Sequence, residues 1–388
     1  MWIRRLTLSH FRNYRALQLD LPQGLILVLG DNAQGKSNLL EAVFLLATTK
    51  SDRVQTDGGL IHWEALDELQ PVARVAAEIE RSDGPLELEI AIAGRPKPGD
   101  RSRVPASKRS RVNGVAKRQA DVVGQLMAVL FTTADMELIS GSPSGRRRYL
   151  DVMLSQIDPA YAQALQQYGK VVTQRNALLK RIQAGEAGKG ELDFWDEELS
   201  GHGATLFAQR ASSVESLAAL AAKAHYELSG GLEELTLVYV PRLEGWDAVR
   251  CRTQASGLDA AMQNAFSSNR PRDIGAGMTL TGPHRDDVAI ELDGTSASEF
   301  ASRGQQRTAA LALRLAEARF MADQRGELPV VLLDDVLSEL DKERRHAVLA
   351  SLGEWDQLII TSTDADRFNE DLTPSAVFRV SAGIIEPA

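Results

Sequence analysis

Gly30-Asp31-Asn32-Ala33-Gln34-Gly35-Lys36-Ser37 fits the pattern G-x-x-x-x-G-K-[ST], and its flanks decide how this chain folds. The apolar run Leu25 to Leu29 before it predicts a buried strand. After it, Leu39, Leu40, Val43 and Phe44 recur on one face, which predicts a helix from Lys36 to Leu46. A strand, a glycine turn and a helix start together form a cradle whose backbone N–H groups point at phosphate oxygens. Gly30 to Gly35 supply that backbone, Lys36 is expected to reach the β- and γ-phosphates of ATP, and Ser37 to hold Mg2+.

A phosphate cradle of this kind needs an acidic partner for the metal. Val330-Val331-Leu332-Leu333-Asp334-Asp335 supplies one, a buried strand ending in two carboxylates. Asp334 is the expected second magnesium ligand, directly or through water, and Asp335 the group that polarises the attacking water. Lys36, Asp334 and Asp335 are therefore the expected catalytic residues.

Outward from these two segments, Ile3, Leu6, Leu8, Leu17 and Leu19 predict two antiparallel strands ahead of the buried one. Val72–Ile79 and Leu86–Ile92 read as a strand pair, and Gly94 to Arg118, polar and basic, as a long loop or hairpin tip. From Ser144 to about Ala265 the pattern is helical, broken at Gly185–Gly190. Strands are predicted at Met278–Thr281 and Val288–Leu292, a helix from about Gly304 to Gln324, and strands at Pro329–Leu333, Leu358–Thr361 and Val377–Val380. The order implies an α/β fold: a discontinuous ATPase lobe (1–140 and 276–388) with a helical lobe (141–275) inserted.

Composition narrows the class. At 388 residues the chain exceeds one small core, and 44% hydrophobic with 25% charged residues is ordinary for a globular protein. A single cysteine, Cys251, excludes an intrachain disulfide and suits a reducing, cytoplasmic setting. The start MWIRRLTLSHF has no apolar stretch or cleavage site and reads as mature sequence, and no run approaches the roughly 18 apolar residues of a membrane span. The net charge of −9 argues against general nucleic-acid affinity, so any DNA surface must be local. The cluster Arg95, Lys97, Arg101, Arg103, Lys108, Arg109, Arg111, Lys117 and Arg118 is such a surface. Its lack of aromatics favours phosphate contact over base stacking. Arg146, Arg147 and Arg148 stand at a helix start, to meet DNA or neighbouring acids.

Two further segments carry a resemblance. Ser302-Arg303-Gly304-Gln305-Gln306 resembles the ABC-ATPase signature L-S-G-G-Q through Ser302, Gly304 and Gln305, and Ser338-Glu339-Leu340-Asp341 resembles that family's D-loop. The resemblance implies that Ser302 is donated across a dimer interface to the γ-phosphate held by a second copy, with Ser338 and Asp341 at the same interface. A plain serine helix cap is the other reading of Ser302. Asp335 stands where that family places Glu, and Thr361-Ser362-Thr363 where many members carry a switch histidine. A shorter base and no imidazole suggest slow turnover, suited to a timer.

Nearly the whole chain resembles the RecF family. The matching elements are Phe11-Arg12-Asn13-Tyr14, Arg111-Val112-Asn113-Gly114, Phe131-Thr132-Thr133-Ala134-Asp135 (without the family's proline), Gly141-Ser142-Pro143 through Arg148, and Thr281-Gly282-Pro283-His284-Arg285-Asp286-Asp287. The resemblance makes Arg12 a candidate nucleotide contact. It implies ATP-driven homodimerisation on DNA, partnership with RecR and RecO, and help in loading RecA. A transporter nucleotide-binding subunit, an ATPase linked to a nuclease domain, and a non-enzymatic clamp with structural ATP are the competing readings.

Overall fold

The computed structural model describes residues 1–95, 104–353, 355–364 and 373–388. Lys97, Arg101 and Arg103 lie outside the described residues. Strands before the insertion are β1 (Trp2–Phe11), β2 (Tyr14–Asp20), β3 (Gly24–Leu29), β4 (Val72–Glu80), β5 (Leu86–Gly94), β6 (Ala106–Val112), β7 (Val115–Lys117) and β8 (Ala128–Thr132). Within it are β9 (Leu235–Val240), β10 (Asp287–Leu292) and β11 (Thr295–Ser296). After it come β12 (Val330–Asp334), β13 (Gln357–Ser362), β14 (Ala376–Ser381) and β15 (Ile384–Pro387).

The chain divides into two compact units, residues 1–135 with 317–388, and residues 136–316. The first holds two six-stranded sheets, one ordered β2-β1-β4-β5-β6-β7 and one ordered β15-β14-β3-β13-β12-β8. The first sheet is antiparallel throughout, and alternation, shifted by an irregularity between Ile3 and Arg5, places Ile3, Leu6 and Leu8 of β1 and Leu88, Ile90 and Ile92 of β5 in the core. In the second, β14, β3, β13, β12 and β8 run parallel and only β15 is antiparallel. Strands buried on both faces read as near-continuous apolar runs. Val330 to Leu333 and Leu358 to Ile360 are all within 5% of full burial. Gln357 sits among them fully buried; its side chain accepts from Ile3 N (2.9 Å) and donates to Ile3 O (2.9 Å) and Pro22 O (3.0 Å).

The second unit is mostly helical, with Pro143–Ile157, Pro159–Gln183, Leu192–Leu228 and Leu258–Ala276 as its longer helices. The expected break falls between the second and third of these. There Leu178, Leu179, Ile182 and Leu192 form a small core with Ala187, Trp195 and Ile274 packed on it.

Four expectations need correction. The segment from Gly94 to Arg118 is not all loop, because β6 pairs with β5 from Leu88↔Val112 to Gly94↔Ala106, and β7 folds back on β6. Lys108 falls on one face of β6 and Arg109 and Arg111 on the other, so charge disguises the strand from a hydrophobic-period reading. Met278–Thr281 is irregular. β9 lies inside the stretch read as helical, and β10 pairs with it from Asp287↔Val240 to Leu292↔Leu235. That pairing keeps β10 with the second unit, which runs to Ala316 and not to 275. The helix Arg303–Arg325 thus begins in one unit and ends in the other.

Candidate functional site

Sheet order sets β3, β13 and β12 side by side and parallel, with Leu29 opposite Ser362 and Asp334 opposite Thr361. Ligands of parallel α/β sheets sit beyond the carboxyl ends of such strands. All the expected phosphate and metal groups of the first unit emerge there. Gly30 (φ 157) lies flat against β14, where a Cβ would come within 2.4 Å of Val380 O. Ala33 (φ 64) and Gly35 (φ 125) complete the turn, and Gly30 N donates to Ser362 O at 3.2 Å. The helix Lys36–Thr48 starts with no side-chain cap and no acid in its first turn. First-turn N–H groups have no intrahelical acceptor, so this end suits an anion.

Lys36 is 6% exposed, and its Nζ donates to Gly30 O (2.6 Å) and Asp31 O (2.8 Å). Burial pulls its pKa down, against the raising effect of Asp335, Asp334 and Asp31. Ser37 Oγ donates to Asp334 Oδ1 at 2.8 Å. This single contact joins the glycine turn to the acidic strand end across 297 positions of sequence. Thr361 Oγ1, from the strand between, donates to the same Asp334 Oδ1 at 3.0 Å and accepts from Asp335 N at 3.0 Å. Asp335 takes the left-handed conformation (φ 56), which an Asp tolerates better than most residues. Ser338 Oγ donates to Asp335 Oδ1 (2.8 Å) and to its carbonyl (2.6 Å), while Asp341 caps the helix Lys342–Leu352 by accepting from Arg344 N at 2.8 Å.

Asn13 and Tyr14 are site residues that the motif reading passed over. Asn13 Nδ2 donates to Gln34 O (2.7 Å), Tyr14 OH donates to Gly35 O (2.9 Å), and Asn38 Nδ2 donates to Asn13 Oδ1 (2.8 Å). Burial raises the Tyr14 phenol, keeping it a neutral donor. Gln34 is also held from the far end of the chain, its carbonyl by Gly383 N (3.1 Å) and its Oε1 by Ala382 N (2.6 Å). Arg12 is tied to the helix that follows the glycine turn. It grips Glu41, a residue of the following helix that is 5% exposed, from Nε (2.8 Å) and Nη2 (2.7 Å), and donates to Gly59 O (3.1 Å).

In the second unit Ser302 and Gln305 form a reciprocal helix cap: Ser302 N donates to Gln305 Oε1 (2.8 Å) and Gln305 N to Ser302 Oγ (3.3 Å). The plain-cap geometry is thus present, while Gly304 stays open, with no neighbour nearer its added Cβ than Ser302 Oγ at 3.9 Å. Of the basic cluster, Lys108 is overturned as a surface cation. Its side chain is 3% exposed and pairs with Asp57 (2.6 Å) and Thr49 O (2.7 Å). Arg109 is exposed, and Arg111 is 58% exposed with Glu89 3.5 Å away.

Arg146 and Arg147 face inward within the second unit. Arg146 forks Asp287 at 2.7 and 3.0 Å, and Arg147 donates to Asp286 O at 2.5 Å. His284 and Arg285 hold the turn they belong to. Both approach Thr279 O, His284 at 3.0 Å and Arg285 at 3.1 Å, and His284 Nδ1 meets Tyr168 OH at 2.8 Å.

Comparison with known proteins agrees with this geometry. The family described as RecF/RecN/SMC N terminal domain matches residues 2–386. The DNA replication and repair protein RecF of Chloroflexus aggregans is 42% identical over 99% of both chains, and that of Roseiflexus castenholzii is 42% identical over 100% of both. Among solved structures, the recombination mediator protein RecF with ATP, of the RecFOR pathway, aligns at TM-score 0.87 and 31% identity over 100% of this chain and 97% of its own. The Smc head bound to the C-winged helix domain of ScpA, at 16% identity and TM-score 0.53 over 100% of this chain and 98% of its own, shares the fold alone. With its pattern matched from end to end and its parallel strands closing on a glycine turn and an acidic pair, the chain belongs to the RecF family.

Proposed function

We propose that the chain is an ATP-operated switch of recombinational DNA repair and replication restart, which dimerises on gapped or duplex DNA and helps load recombinase there. The observation that carries the reading is the Ser37–Asp334 contact of 2.8 Å, because a hydroxyl and a carboxylate brought together beside a phosphate cradle are the two protein ligands Mg2+ needs. A triphosphate would exchange its oxygens for the Gly30 and Asp31 carbonyls now holding Lys36 Nζ. Magnesium, when bound, neutralises charge between the β- and γ-phosphates. Asp335 orients water, but Ser338 already occupies one of its oxygens and its side chain is one methylene shorter than a glutamate. Slow, DNA-stimulated hydrolysis fits that arrangement, as a timer for release.

Ser302, Gly304 and Gln305 form the surface that closes over the nucleotide of a second copy, with Ser338 and Asp341 at the same interface. Gly30 to Gly35 and Ser37 cradle the nucleotide, and Arg12, tied to Glu41 of the helix Lys36–Thr48, is a further contact to it. The RecFOR pathway named for the solved RecF structure supports RecR and RecO as partners; RecA as the indirect beneficiary and a cytoplasmic location belong to the same proposal. Relatives named for DNA replication and repair do not favour a transporter subunit. Among the described residues no helix is long and apolar enough to cross a membrane.

The test is self-association by sedimentation with ATP, with ADP and without nucleotide, each with and without duplex DNA. The expected result is dimer with ATP only, lost in Lys36→Arg, because a planar guanidinium does not replace a point-charge amine in the cradle. A strictly monomeric protein with ATP and DNA both saturating would overturn the switch. ATP-driven dimers with no hydrolysis at all would favour the structural clamp instead.

A further inference from the structure

Gln305 has a partner outside the signature turn. Its Nε2 donates to Glu233 Oε1 at 2.9 Å, and Glu233 Oε2 meets His225 Nε2 at 3.0 Å. Glu233 follows the 37-residue helix Leu192–Leu228, whose last turn carries His225. His225 is fully buried, and burial lowers its pKa against the raising effects of Glu233, Asp293 and the Thr308 backbone. Nε2 faces a carboxylate, which only accepts, so the ring carries a proton there. The ring is held where it is by Glu233.

The chemistry of the chain of contacts is directional. A carboxylate only accepts and a backbone N–H only donates, so Gln305, with Glu233 on one side and Ser302 N on the other, has one permitted amide orientation. The amide orientation in turn sets the cap that aims the Ser302 hydroxyl. We propose that Glu233, braced by His225, is a positioning residue for the signature turn, which it pre-organises to receive the nucleotide of a second copy. This rests on the reading of Ser302 as a trans-acting group.

The experiment compares Glu233→Ala, Glu233→Gln and Ser302→Arg in the full chain, reading ATP affinity of the monomer and ATP-driven self-association separately. Loss of a charge-assisted hydrogen bond at a preorganised site is expected to weaken ATP-driven self-association by about tenfold or more in Glu233→Ala. Monomer ATP affinity should stay unchanged, since the first unit binds it. Glu233→Gln, which still accepts from Gln305 and can donate to the other His225 tautomer, should restore self-association to within about threefold. Should Glu233→Ala not fold, Glu233→Asp keeps the charge beside His225 but shortens the reach to Gln305, and a several-fold weakening is expected from it. Normal self-association in Glu233→Ala or Glu233→Asp, with Ser302→Arg defective, would overturn the positioning role. Normal self-association in Ser302→Arg as well would overturn the trans reading beneath it.

Discussion

Gly35 sits at φ 125, and a methyl group there would fall 2.6 Å from Asn13 Nδ2 and 3.0 Å from Tyr14 OH, the side chains that clamp the glycine turn. Gly35→Ala therefore meets both backbone strain and collision, whereas Gly84→Ala (φ 117, open space) meets strain alone. Strain of this kind costs about 1–3 kcal/mol. Urea melts should place Gly84→Ala in that range and Gly35→Ala at or above it, while ATP affinity falls by an order of magnitude or more only in Gly35→Ala. Equal ATP affinity in the two would mean that the Asn13–Tyr14 clamp is irrelevant to the cradle. The Phe11 to Tyr14 segment was legible as a family element, but Arg12, the charged member, drew the assignment. Its neighbours' amide and phenol reach the turn only because β1 ends and β2 begins beside it, which no spacing in the sequence records.

Two elements change meaning between sequence and structure. Along β6 side chains alternate faces, so Lys108 is buried on Asp57 while Arg109 and Arg111 stay exposed. Neutralising Arg109 and Arg111 together is expected to weaken DNA binding and reduce its salt slope by up to about 2, one unit for each phosphate no longer neutralised. Lys108→Gln should lower the unfolding midpoint and leave that slope alone; a flattened slope in Lys108→Gln would reverse the assignment.

The turn from Thr281 to Asp287 is the other. Burial pulls His284 down to about 4, and its two ring nitrogens match a neutral tautomer that donates to Thr279 O and accepts from Tyr168 OH. In the unfolded chain the same ring takes a proton near 6.5, so stability is complete above that pH and falls as pH drops from about 6.5 to 4, by up to about 3 kcal/mol. Asp286, pushed up to about 6 by burial, is protonated in the folded state first and works the opposite way over much of that range. The measurement is therefore the difference in unfolding free energy between the parent and His284→Gln across pH 4 to 7. It should change with pH by most of that amount, and a flat difference would show that the ring does not titrate on unfolding. The turn is held beneath by Arg210, fully buried between Asp151 (2.7 Å), Asp286 (3.2 Å) and Pro283 O (2.6 Å). This motif is thus built into the packing of its unit, and a run of polar letters in sequence carries no sign of that.

For the dimer as a whole, the proposal that each nucleotide is shared between two copies makes a prediction no single-chain defect can imitate. A Lys36→Ala chain cannot bind ATP, and a Ser302→Arg chain cannot close over its partner's. Mixed together, one of the two composite sites in each mixed dimer is intact. ATP hydrolysis in the mixture is expected to exceed that of either variant alone, approaching roughly a quarter of the unmutated rate if partners assort at random and sites act independently. Additive, unrescued activity would mean that both groups serve the same chain's nucleotide.

Local order along the chain was enough to locate the glycine turn, the acidic strand end, the parallel strands around them and the helical insertion. These are written in periodicity and short motifs, where each residue's neighbours in sequence are its neighbours in space. Pairings between distant segments were decided only when the chain folded: Ser37 with Asp334, Gln34 with Ala382 and Gly383, Gln357 with Ile3, and β9 with β10, which keeps β10 in the second unit. Burial had the same character: it turned Lys108 from an expected surface charge into an internal tie, settled Arg146 on the neighbouring acid Asp287, and set Arg210, which no motif marks, against Asp151. A charge reads as exposed in sequence because solvation is the default, and only a carboxylate or carbonyl brought from elsewhere in the chain offsets the cost of burying it.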